Sequence, residues 1–155
     1  MSPVLKHRPE NRLSKRVRLP GGQTVAQMEA DIQQRMEGMR QACVQTVRQA
    51  VAEIEQEGRT LQPPLAEDRL ARLYDLSNQV IELSGAAELP DLDRAALSLC
   101  QLLDGWRNGK VWSAAALSVH LLTLQLLARS ARELSPQARD AMIEGLTSVV
   151  VRTFA

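Results

Sequence analysis

Three features of the sequence predict an all-α fold. Apolar residues recur at intervals of three and four along most of the chain, and the intervening positions are filled by the helix formers Ala, Leu, Gln, Arg and Glu. Alternating runs of Val, Ile and Thr between turn residues are missing, and Val149-Val150-Val151 is a short β-prone exception. At 155 residues and 45% apolar content the chain suits one compact domain, and with only 3% aromatic residues its core has to be aliphatic.

Residues 1–23 carry Lys6, Arg8, Arg12, Lys15, Arg16 and Arg18 against Glu10, a charge of +5 that leaves −4 on the rest of a chain whose net charge is +1. Pro3, Pro9, Pro20, Gly21 and Gly22 interrupt this segment and few apolar residues accompany it, so it is expected to be a disordered basic arm. Such an arm suits an acidic partner, an anionic membrane surface or nucleic acid, although no aromatic side chain is interleaved to stack on bases. It suits a solvated tail equally well. The segment lacks the apolar run of a secretion signal, and the longest apolar stretch, 111–128, is interrupted by Ser113, Ser118, His120, Thr123 and Gln125. A cytoplasmic protein without a membrane span is expected.

The first helix opens at Thr24 and Gln27, which stand at capping-box spacing after Gly21-Gly22. Val25, Met28, Ile32, Met36, Met39, Cys43, Val47, Ala50 and Ile54 then recur at spacings 3, 4, 4, 3, 4, 4, 3, 4, an eleven-residue period that keeps one stripe on a nearly straight helix. Gly58 is expected to end it, which gives an element about 50 Å long. Two readings fit that length. The stripe from Val25 through Met28, Ile32, Met36 and Met39 to Cys43 serves as a dimerisation or docking surface, or the helix wraps its own bundle.

A linker from Gly58 to Pro64 precedes a second helix with a predicted buried stripe of Leu73, Leu76, Val80, Leu83 and Ala87. Advancing 100° per residue places Asn78 on the opposite, exposed side, flanked by Ala71, Tyr74, Asp75, Ile81, Glu82 and Gly85. The third helix begins near Asp91, buries Leu92, Ala96, Leu99, Leu103 and Trp106, and stops at Asn108-Gly109. The fourth opens at Ser113 and buries Leu117, Leu121, Leu124 and Ala128. The fifth has Ser135 as cap and Pro136 in its first turn, and offers Ala138, Met142, Leu146, Val149 and Val150 to the core. Short connections between helices of similar length imply antiparallel neighbours, hence a four-helix bundle over residues 65–155 behind the long helix 24–58.

Across residues 65–132 this layout resembles the histidine-phosphotransfer domains of bacterial two-component signalling. Their exposed helix carries a pattern like His-x-Leu-Lys-Gly, followed by small residues, a corner and an apolar helix. Ser77-Asn78-Gln79-Val80 falls on the His-x-Leu part, Gly85 to Leu92 on the small residues and corner, and Ala95-Ala96 through Leu103-Asp104 on the helix that follows. The chain is also similar to the CheE-type helical accessory proteins of chemotaxis gene clusters in alphaproteobacteria. The departures matter chemically. Asn78 stands for the phosphoacceptor, and a carboxamide nitrogen has no free lone pair with which to take a phosphoryl group. Ile81 replaces the lysine that would neutralise phosphoryl oxygens, and Glu82 adds bulk and negative charge in place of glycine.

The resemblance therefore implies a non-catalytic signalling adaptor. Its partner is a receiver domain of a response regulator or a related protein, and Ala71, Tyr74, Asn78, Ile81, Glu82 and Gly85 are the candidate contact residues. A dimeric scaffold whose basic arm binds nucleic acid or an anionic membrane is the alternative, and a true phosphotransferase using His120 is the third. His7 lies in the arm. His120 has no second ligand at i+3 or i+4 and sits beside Leu117, Leu121 and Leu124, the setting of a partly buried histidine with a local hydrogen bond. Cys43 and Cys100 read as small core residues, and neither a metal nor any other cofactor nor a small-molecule substrate is expected.

Overall fold

Thr24 and Gln27 form the capping box that their spacing predicts: the Gln27 amide donates to Thr24 Oγ1 at 3.2 Å, and the Thr24 amide to Gln27 Oε1 at 2.8 Å. This start is the first feature of a computed structural model that describes residues 24–155. The expected basic arm, residues 1–23, lies outside the described residues. Five helices follow: α1 Val25–Arg59, α2 Glu67–Ser84, α3 Leu92–Arg107, α4 Ala114–Ser130 and α5 Pro136–Phe154. The described residues contain no strand, so the all-α class holds, and Val149-Val150-Val151 is helical. None of these helices is long and apolar enough to cross a membrane.

The chain divides into two compact units, one ending at Met36 and one running Glu37–Ala155. In the first, the α1 residues Val25, Met28, Ile32 and Met36 are 67%, 45%, 56% and 59% exposed. In the second, α1 contributes Val47, Ala50, Val51 and Ile54 to the buried core. α1 ends one residue past Gly58, where a Cβ would stand 2.8 Å from Leu121 Cδ1, so this glycine lets α1 and α4 approach closely. Arg48 adds a hydrogen bond from α1 to the Ala128 carbonyl of α4 at 3.3 Å. On its other side α1 meets α2 through Glu57 with Arg69, and Glu53 with Arg72 at 2.8 Å.

The centre of the second unit is α3, which packs against α2, α4 and α5. Nine of its sixteen residues are buried, Leu92, Ala95, Ala96, Ser98, Leu99, Cys100, Leu102, Leu103 and Trp106, and these include all five positions expected from the sequence. In α4, the expected Leu117, Leu121, Leu124 and Ala128 are buried. In α5, Leu146 is buried as expected, joined by Ile143, whereas Ala138, Met142, Val149 and Val150 are half-buried. Ser113 and Ser135 cap their helices by accepting from Ala116 and Ala138, both at 3.2 Å.

The corner between α2 and α3 is held from outside by arginines. Glu88 and Asp91 both take left-handed backbone angles, φ 53° and 65°, to turn the chain sharply. Asp91 accepts from Arg139 at 2.8 Å and from Arg94 at 2.9 Å, while Arg139 also caps the Leu134 carbonyl at 2.6 Å and that of Ala131 at 3.1 Å. Arg132 reaches the Ala87 and Glu88 carbonyls of the same corner. The two helix connections are thereby joined. The guanidinium of Arg139, and then that of Arg94, holds the Asp91 carboxyl below the usual aspartate range.

Arg139→Ala should cost about 2 kcal/mol, since it leaves Asp91 and two carbonyls short of partners. That corresponds to a melting temperature about 4–8 °C lower at neutral pH, read by circular dichroism. The Asp91 contribution is present above the ordinary aspartate pKa of about 4 and is lost as pH falls below it, because the unfolded chain takes up the proton first. The variant should show a shallower loss of stability in that acid range.

A candidate docking face on α2 and a sealed histidine

The buried side of α2 is not the one its leucines mark. Leu70, Leu73, Ser77, Val80 and Ser84 face the core, whereas the expected Leu76 and Leu83 are only half-buried and Ala87 is buried beyond the helix end. The helix is turned by roughly 60° from the predicted phase at 100° per residue. Two serines make this turn possible: Ser77 Oγ donates to the Leu73 carbonyl at 2.7 Å, and Ser84 Oγ donates to that of Val80. Each hydroxyl is satisfied inside its own helix and needs no partner in the core. Leu76 turns toward α1 and lines a recess with Gln45, Gln49, Glu53 and Gln79.

The same rotation alters the candidate docking residues. Asn78, expected to be exposed, is half-buried, as are Ala71, Tyr74 and Ile81, while Glu82 and Gly85 are exposed. Tyr74 and Ile81 pack against the core, and Arg107 of α3 lies 5.4 Å above the Tyr74 ring centroid. What α2 turns outward is an open strip of Asp68, Ala71, Asp75, Asn78 and Glu82, with Arg72, Leu76 and Gln79 alongside. A Cβ added at Gly85 would meet nothing within 4 Å, so no close packing inside the chain requires that glycine. Along α1, Met39 is 69% exposed like the stripe residues before it, but Cys43 is half-buried and packs on the core.

His120 is 0% exposed rather than partly buried. Its Nδ1 lies 2.8 Å from the Ala116 carbonyl and must donate there, which leaves Nε2, 3.0 Å from Ser98 Oγ, as the acceptor. The local bond was legible in the sequence; the link to α3, 22 residues away, was not. Burial lowers the His120 pKa, the Ala116 bond pulls it back, and the net shift is downward, so the ring is neutral near pH 7. Both ring nitrogens are occupied and out of reach of a phosphoryl donor. Cys100 is 3% exposed and burial pushes its thiol up to about 11, which makes it inert. Among the described residues, no group of three or more His, Cys, Asp and Glu side chains is placed to hold a metal ion. His7 lies outside the described residues.

No protein-family model matches this chain, nor does any curated protein or solved structure.

Because the folded state keeps His120 neutral, its contribution to stability is complete above the ordinary histidine pKa of about 6.5 and declines as pH falls below it. The slope of unfolding free energy against pH should therefore steepen between neutral pH and pH ~5, by at most about 1.4 kcal/mol per unit. Urea titrations across that range check it. His120→Gln, though less stable throughout, should lose this component.

Proposed function

We propose that the protein is a non-catalytic signalling adaptor, in which a phosphotransfer-like bundle docks a response-regulator receiver domain without accepting phosphate. The observation that carries this reading is the outward strip of α2. Where the family resemblance puts an acceptor imidazole, Asn78 stands between Ala71, Asp75 and Glu82 on an open helical surface, and that surface suits a protein partner. The sealed position of His120 weighs against a phosphotransferase that uses it.

The helix contacts favour an antiparallel four-helix bundle of a particular make-up. The part of α1 beyond Glu37 bridges α2 and α4 through Arg69, Arg48 and the Gly58 approach, and α3 joins α2 to α4 from inside. In this arrangement α1 supplies the fourth member and α5 lies against α3 and α4, whereas the sequence pattern suggested α2 to α5 with α1 leading. Binding at such a bundle calls for no cofactor, and the compartment that suits it is the cytoplasm.

The test is titration of the full-length protein with purified receiver domains from the same genome, followed by calorimetry. At least one receiver should bind, and Asn78→Arg and Glu82→Arg should each weaken it at least ten-fold while the melting temperature stays unchanged. Tyr74 and Ile81 are poor probes, since their side chains pack against the core, whereas Asn78 and Glu82 line the open strip. Failure of every receiver to bind, or binding indifferent to both substitutions, would sink the reading. Asn78→His should take up no label from a receiver charged with radioactive phosphate, because Ile81 supplies no charge next to the acceptor position and Glu82 repels the phosphoryl group. Labelling of that variant would overturn the non-catalytic assignment.

A further inference from the structure

The apolar stripe of α1 carries a second signature, in the charges beside it. Val25, Met28, Ile32, Met36 and Met39 are 45–69% exposed, and all five lie within one strip of the helix at 100° per residue. On one flank of that strip stand Glu29 and Arg40, and on the other Asp31 and Arg35. Each flank has its acid toward the N-terminus and its base toward the C-terminus.

We propose that α1 pairs with α1 of a second copy, antiparallel, about a two-fold axis between Ile32 and Met36. When two helices run antiparallel, each flank faces the same flank of its partner, whereas in a parallel pair opposite flanks meet. In the antiparallel register Ile32 meets Met36 of the second copy and Met28 meets Met39, while Val25 reaches the end of the strip, where Cys43 packs on its own core. That same register brings Glu29 beside Arg40 and Asp31 beside Arg35, twice each by symmetry. A parallel pair would instead set Arg35 near Arg40. The eleven-residue period keeps the helices nearly straight, as such a pairing needs.

Arg40 is bonded within its own helix to Glu37, Nε to Oε2 at 2.8 Å. Glu37 sits well away from the stripe, so a carboxylate of the second copy adds to this pair at a guanidinium with five donors. The two-fold arrangement of both spacing and charge is what commits the surface to a second copy, because an unrelated partner would impose no such symmetry on it. Receiver docking would use α2, so the two proposals stand or fall separately.

Cysteine cross-linking of the full-length chain tests the register. Met28→Cys and Met39→Cys, each combined with Cys43→Ser, are prepared separately, mixed and oxidised under mild conditions. A disulfide joining position 28 to position 39 across two chains should predominate over 28–28 and 39–39 products. Light scattering of the unsubstituted protein at tens of micromolar should give twice the chain mass. Met36→Glu with Met39→Glu should halve that mass without loss of helical signal, since both side chains are exposed. Arg35→Glu alone should weaken dimerisation several-fold, and adding Asp31→Arg should restore it. A monomeric mass for the unsubstituted protein overturns the proposal, and so does predominance of like-to-like cross-links.

Discussion

The structure depends on α3, which buries nine of its sixteen residues and packs against three other helices. A chain with 3% aromatic residues has few large rings to fill space, so its helices have to come close, and the residues between them have to be small. Ala95, Ala96, Ser98 and Cys100 on α3, and Ser77 and Ser84 on α2, are those residues. Close approach recurs elsewhere: the Phe154 ring lies where a Cβ on Gly105 would be, and Leu121 lies where one on Gly58 would be. Packing at this distance brings polar atoms inside, and nearly all are answered locally or in pairs such as Ser98 with His120. Trp106 Nε1 is the exception among the described residues, buried against Trp112 with no hydrogen-bond partner.

Beyond the aliphatic core, the arginines at the corner add fixed polar contacts between helices. Asp91 and Glu88 sit in a backbone conformation that non-glycine residues seldom adopt, which a surrounding network has to maintain. Arg132 from the α4–α5 connection and Arg139 from the first turn of α5 provide it by reaching to the α2–α3 connection. With side chains only 14% and 18% exposed, Arg139 and Asp91 form a pair shielded from the solvent screening that weakens surface ion pairs. The C-terminal end of α2 is therefore anchored, and the strip from Asp68 to Glu82 is presented on a fixed helix.

Helix positions were legible because periodicity and caps are local. The Thr24–Gln27 box, the Ser113 and Ser135 caps and the buried faces of α3 and α4 all follow from residues within a few turns of one another. The phase of α2 was not legible, because hydropathy ranks Leu76 and Leu83 above Ser77 and Ser84, while close packing against α3 favours the small residues and their hydroxyls bond backward within the helix. The arginine network was hidden for a different reason: Arg139 and Asp91 are 48 residues apart, and nothing local marks either as a partner. Along α1 the sequence shows one unbroken stripe, yet Val47 and Ile54 are fully buried whereas Val25 and Met39 are mostly exposed. Periodicity identifies a face but not what covers it.

The charges on the outward strip of α2 bear on which form of a receiver it would hold. Asp68, Asp75 and Glu82 recur every seven residues and so lie close to one line along the helix. A phosphorylated receiver carries added negative charge at its active site, and a row of carboxylates facing that site repels it more than the unmodified aspartate. Ile81 and Asn78, beside that row, add no positive charge to offset the repulsion. On the docking proposal, this acidic row favours an unphosphorylated receiver over a phosphorylated one. Exposed charges are partly screened, so this preference should weaken as salt is raised, unlike the apolar part of the contact.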